Sequence, residues 1–160
     1  MIFGDYTFFF MKDGTIKCCG DNQYGQLGLG DTISKSILLC HHLNKVKEIV
    51  YGQFHTFFIM EDGTIKCCGQ NNYGQLGIGN TDNQINLTTH PITGVRDIVC
   101  GDRHTFFIME DGIIKCCGNN GYGQLGLGNT TSPMVMLMNL PLTGVKKIVG
   151  CENHTFFIME

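Results

Sequence analysis

The 160-residue sequence has no tryptophan, only three prolines, and charged side chains at only 16% of positions. No apolar run reaches the roughly 18 residues that a membrane-spanning helix needs. YTFFFM, residues 6–11, lacks the basic flank and small-residue cleavage site of a signal peptide. Without an export signal, the nine cysteines are expected to be reduced thiols in an intracellular protein, cytoplasmic or nuclear. Positive charge is scarce as well: 11 basic residues face 14 acidic ones, for a net charge of −3 with no basic arm or patch. Non-specific binding to DNA or RNA is therefore disfavoured, and chromatin association with it. Helical periodicity is missing throughout, which directs the reading toward strands.

Glycine is abundant, with 22 residues where ordinary usage would give about 11. Much of it sits in a repeat. IKCCGDNQYGQLGLG from Ile16 returns as IKCCGQNNYGQLGIG from Ile65 and IKCCGNNGYGQLGLG from Ile114. Gly20, Gly69 and Gly118 recur every 49 residues, as do Gly25, Gly74, Gly123 and Gly28, Gly77, Gly126. TFF recurs at Thr7, Thr56, Thr105 and Thr155, where the last interval is one residue longer. The insertion falls in the most variable part of the unit and marks a surface loop.

Within a unit the pattern is short strands and turns. HTFFIM carries apolar groups on both strand faces, so it is expected between two sheets. The following Asp-Gly at 62–63 and 111–112, with a counterpart at 13–14, suits a tight hairpin turn. TIKCC is the return strand, and ILLCHHL and its counterparts supply a less regular last strand. About four strands per 49 residues point to propeller blades.

These residues resemble the repeat of the regulator of chromosome condensation family, in G-x-x-H-T, D-G and G-x-N-x-Y-G-Q-L-G-x-G. The resemblance implies an all-β fold: a partial β-propeller of about three four-stranded antiparallel blades. It also implies a repertoire of binding roles that includes guanine-nucleotide exchange on a small GTPase. Two departures stand out. Cys19, Cys68 and Cys117 occupy the place where family blades commonly carry tryptophan, and about three blades are present where the family usually has seven. The chain reads as one repeat domain, 1–160, with units of approximately 1–49, 50–98 and 99–147 and an extra pair of strands over 148–160.

Several motifs suggest chemistry and are better read as architecture. Adjacent cysteines on a strand point to opposite faces and cannot share one ion, so the pairs read as packing between blades. His55, His104 and His154 sit in separate blades, too far apart for a shared metal. They are expected to be structural, each ring bonding to a neighbouring loop. Gly121, Gly123 and Gly126 spell G-x-G-x-x-G, but no helix follows to hold a dinucleotide. His41-His42 has no repeat counterpart and is expected on an exposed edge strand or loop. No catalytic residue, cofactor site or metal site emerges.

The expected function is non-enzymatic protein–protein interaction through the blade loops, with exchange-factor action on a small GTPase as the alternative. Candidate partner-binding residues lie in the variable loops: Asp31 and Thr32, Asp82 and Asn83, and Met134 and Met136. The two methionines also fit edge-strand packing. Three blades do not readily close a ring, so head-to-tail association is expected, with two copies completing a six-bladed ring. The competing expectation is an open arc completed by another protein.

Overall fold

The computed structural model describes residues 4–160. Its thirteen strands form four antiparallel sheets in chain order. The first contains β1 (Tyr6–Phe10), β2 (Ile16–Gly20) and β3 (Lys35–Cys40). The second is four-stranded: β4 (Val46–Tyr51), β5 (His55–Met60), β6 (Ile65–Gly69) and β7 (Gln84–Thr89). The third repeats it with β8 (Val95–Cys100), β9 (His104–Met109), β10 (Ile114–Gly118) and β11 (Met134–Leu140). The fourth is the hairpin β12 (Val145–Gly150) and β13 (Thr155–Met159). No helix occurs among the described residues, and none is long and apolar enough to cross a membrane. The fold is an open arc of propeller blades, two of them complete.

Local chemistry sets each blade. At the hairpin between the second and third strands, Asp62 Oδ1 accepts the Thr64 amide at 2.9 Å, and Gly63 takes φ 82°. Asp13 and Asp111 do the same for Thr15 and Ile113. An aspartate at this position orders the turn through its own backbone, and glycine supplies the left-handed residue. The extra residue of the third unit lies between Gly118 and Met134, which pair where Gly69 pairs with Gln84, so it is confined to the loop.

The core lies between the sheets. β5 and β9 are buried at all six positions. From β5, Phe57 and Ile59 pack with Phe107 and Met109 of the following blade, while Phe58 and Met60 pack with Phe8 of the preceding one. Each junction holds one edge-to-face phenylalanine pair: Phe8–Phe58 at 5.5 Å, Phe57–Phe107 at 5.4 Å and Phe106–Phe157 at 5.5 Å. Such pairs contribute about 0.5–1.5 kcal/mol beyond the area they bury. The cysteine pairs split as strand geometry requires, Cys67 to the following junction and Cys68 to the preceding one. Burial pushes the Cys67 and Cys116 thiols up to about 12, leaving them protonated and unreactive.

Candidate functional site

Every blade sends its long loop and its tight turn between the first two strands to the same end of the sheet. The loop is built inward from one buried asparagine. Asn71 Oδ1 accepts the Leu76 amide at 2.9 Å, and its Nδ2 donates to the Asn80 carbonyl at 2.9 Å. Asn22 and Asn120 repeat both bonds. Gly20, Gly69 and Gly118 end their strands at φ 108°, 102° and 106°. Gly25, Gly74 and Gly123 turn the loop at φ 81°, 74° and 75°, and Gly28, Gly77 and Gly126 at 68°, 67° and 70°. At Gly74 a Cβ would also lie 2.5 Å from Val135 Cα of the next blade, so the loop can seat there only without a side chain.

The loops are tied to the following blade by a repeated polar relay. Thr105 Oγ1 donates to the Gln75 carbonyl at 2.7 Å, which commits its one proton. His55 Nε2, 3.0 Å from the same hydroxyl, must therefore be the donor, so the ring is the Nε2–H tautomer. His104 repeats this with Thr155 at 2.9 Å, and Thr155 donates to the Gln124 carbonyl at 2.8 Å. In the first blade the Tyr6 hydroxyl takes the histidine's place, 3.0 Å from Thr56 Oγ1. The expectation of a ring bonded to a loop needs correction: the ring bonds to a strand threonine, and the threonine bonds to the loop. Among the described residues, His55 Nδ1 and His104 Nδ1 are buried without a partner. Burial, with a smaller contribution from the next histidine, lowers His55 to about 3 and His104 to about 4. His154 is exposed.

His41 is also corrected. It is buried at 6% exposure and has a counterpart, His90. His41 Nε2 lies 3.0 Å from the Leu27 carbonyl and its Nδ1 accepts the Leu43 amide at 3.1 Å. His90 makes the same bridge from the Leu76 carbonyl to the Ile92 amide. The 49-residue interval between them was the available signal, as it was for the buried asparagines.

The six candidates divide in two, and Met134 and Met136 lie in strand β11, not in a loop as expected. Asp31 braces its own loop, accepting from Asn22, from the Ile33 amide and from Lys35 Nζ at 2.8 Å, and these bonds hold its carboxyl below the usual range, the Lys35 contact most of all. Asn83 Oδ1 accepts the Asn71 amide at 2.8 Å, and Met134 packs partly buried against its own blade. Thr32, Asp82 and Met136 face outward, Met136 at 61% exposure. Tyr24, Tyr73 and Tyr122 line the same end, one per blade; Tyr24 packs on Phe54, Arg103 sits 5.5 Å over the Tyr73 ring, and Tyr122 is 76% exposed. Among the described residues, no three His, Cys, Asp or Glu side chains converge on one point.

Charge is uneven along the blades. Among the described residues, the loop end carries six acidic side chains (Asp5, Asp21, Asp31, Asp82, Asp102 and Glu152) and two basic ones, Lys35 and Arg103. Both bases already face acids, Lys35 on Asp31 and Arg103 at 3.5 Å from Asp102. Asp102 is itself nearly buried, and desolvation raises its pKa against the opposing pull of Arg103.

Models of the regulator of chromosome condensation (RCC1) repeat match residues 13–59 and 62–108, and a second model of the same repeat matches 46–75 and 95–124. Among solved structures, the fold is similar to yeast RCC1 (Prp20) bound to Kap60, with a TM-score of 0.79 at 18% identity, over 97% of this chain and 40% of that one. It is similar to Prp20p from Saccharomyces cerevisiae in a second structure, reported with its binding to Gsp1p and histones: TM-score 0.79, 18% identity, 94% of this chain and 40% of that one. Human WBSCR16 is similar at a TM-score of 0.70 and 22% identity, over 90% of this chain and 39% of that one. The chain thus spans about 40% of the length of these neighbours. No curated protein matches it. With repeat models matched over more than half of its length, the chain belongs to the regulator of chromosome condensation (RCC1) repeat family.

Proposed function

We propose that this chain is a non-enzymatic protein-binding module that engages a basic protein surface through the loop end of its blades. The observation that carries this reading is the charge division: four acids at that end, Asp5, Asp21, Asp82 and Glu152, form no ion pair among the described residues, and the strands and hairpins behind hold nearly balanced charge. Tyrosines spaced one per blade among these acids supply amphipathic contact area at small entropic cost. The buried asparagines and the threonine–histidine relay hold the loops before a partner arrives, which lowers the ordering cost of binding. A histone, which Prp20p is reported to bind, is a protein of this basic class.

The test is titration of the chain with core histones and with an acidic protein of similar size, across a salt series. Expected is binding to the histones alone, weakening with salt, and weaker by about tenfold in an Asp82→Lys, Glu152→Lys double variant. Equal binding to both proteins, or indifference of the double variant, would overturn the reading. Guanine-nucleotide exchange on a small GTPase is the second reading, favoured by the fold shared with a protein reported to bind Gsp1p. Accelerated release of labelled GDP from a small-GTPase panel would establish it in place of the first.

A further inference from the structure

The two outermost sheet faces carry the same residues that the interior junctions bury. On the first sheet, Thr7, Phe9, Met11, Cys19 and Leu38 share the face turned away from the second sheet. Forty-nine residues on, the same types recur as Thr56, Phe58, Met60, Cys68 and Leu87, and there they are covered by the preceding blade. The third sheet repeats them again, with Phe107, Met109, Cys117 and Leu137 in the junction core. On the first sheet they are open: Phe9 is 43% exposed, Met11 40% and Leu38 51%. The fourth sheet presents the opposite half of the junction. His154, Phe156 and Ile158 repeat His104, Phe106 and Ile108, which the next blade buries, yet Phe156 is 58% exposed and Ile158 47%.

We infer that a second copy of this chain covers these faces, the outer face of β12–β13 in one copy packing on the outer face of β1–β3 in the other. The chain itself shows how the halves fit. His104 Nε2 lies 2.9 Å from Thr155 Oγ1, and Phe106 meets Phe157 edge to face at 5.5 Å. In the same arrangement His154 donates to Thr7 of the second copy, and Phe156 meets its Phe9. The surface is a continuation of an interface already made three times within one chain, and its two halves are unlike each other. The association is therefore heterologous, head to tail. It is independent of the partner proposed for the loop end, since neither face includes the acids of that end.

The experiment is solution mass by light scattering in reducing buffer, which removes any contribution from the exposed Cys40 thiol. The chain alone should run above its single-chain mass of 17.8 kDa. Phe9→Asp and Phe156→Asp should each run as a single chain, because each loses one half of the contact. Mixed in equal amounts, the two variants should recover a pair, joined through the intact β12–β13 face of the first and the intact β1–β3 face of the second. Ile158→Asp replaces Phe156→Asp if that variant loses its sheet circular dichroism. A single-chain mass for the unaltered protein at its highest soluble concentration overturns the inference. So does a mixture that stays at single-chain mass, or a lone variant that associates as the unaltered chain does.

Discussion

At the residue scale, the buried histidines decide how the protein meets acid. His41, His55, His90 and His104 all have pKa values lowered by burial, to about 4, 3, 4 and 4. Unfolding returns them to an ordinary value near 6.5, so below that pH the unfolded chain binds protons that the folded chain refuses. The neutral rings thus contribute stability that is complete above about pH 6.5 and is lost as pH falls toward the folded values. Each costs about 1.4 kcal/mol per pH unit in that window, so four together cost about 6. Against a domain stability of about 5–15 kcal/mol, this loss alone unfolds a chain at the low end of that range at about pH 5.5, before most carboxylates titrate, and one at the high end only at about pH 4. Denaturant midpoints from pH 7.5 downward check it, together with proton uptake on unfolding. Uptake below about one proton near pH 5.5 would mean that the rings are not held neutral. Of these four, His55 and His104 were legible as structural from their place before TFF. His41 was not, because the third unit puts Leu140 there and the doubled His41-His42 obscured the period.

At the element scale, the glycine loop does two jobs that a substitution pair can separate. Gly63 and Gly74 share nearly the same φ, 82° and 74°, so alanine imposes a similar left-handed penalty of about 1–2 kcal/mol at both. Around Gly63 a Cβ meets nothing within 4 Å, whereas at Gly74 it strikes the Val135 backbone of the next blade. Gly74→Ala should therefore destabilise by at least about 2 kcal/mol more than Gly63→Ala in urea denaturation. Equal losses would mean that the loop does not seat on the neighbouring strand. The glycines, hairpin aspartates and two-faced HTFFIM strands were legible because local sterics dictate them and the period repeats them. Which loop residues face outward was not. Asp31 and Asn83 look like free loop polars in sequence, and only the folded loop shows them closing on Asn22 and Asn71.

For the whole molecule, a chain of sheets that touch only their neighbours should be stable in its middle and loose at its ends. β5 and β9 are buried on both faces, while Phe156 and Ile158 of β13 lie open on one. Fully burying such side chains contributes about 1.5–3 kcal/mol each, and with Phe156 at 58% and Ile158 at 47% exposure β13 lacks about half of that for the pair, roughly 1.5–3 kcal/mol. At 1.4 kcal/mol per factor of ten, amides of β13 should exchange at least about tenfold faster than those of β9. Hydrogen exchange on the Phe9→Asp chain, at a concentration where it runs as one chain, isolates this gradient from any contact between copies. β9 should exchange slowest with β5, β1 should lie between, and β13 should lead. Uniform exchange across all four sheets would mean that the blades unfold as a single unit, and that neighbour-by-neighbour packing does not set the stability of this arc. A gradient in the unaltered chain that flattens at β13 and β1 as concentration rises would locate the second copy on those two faces.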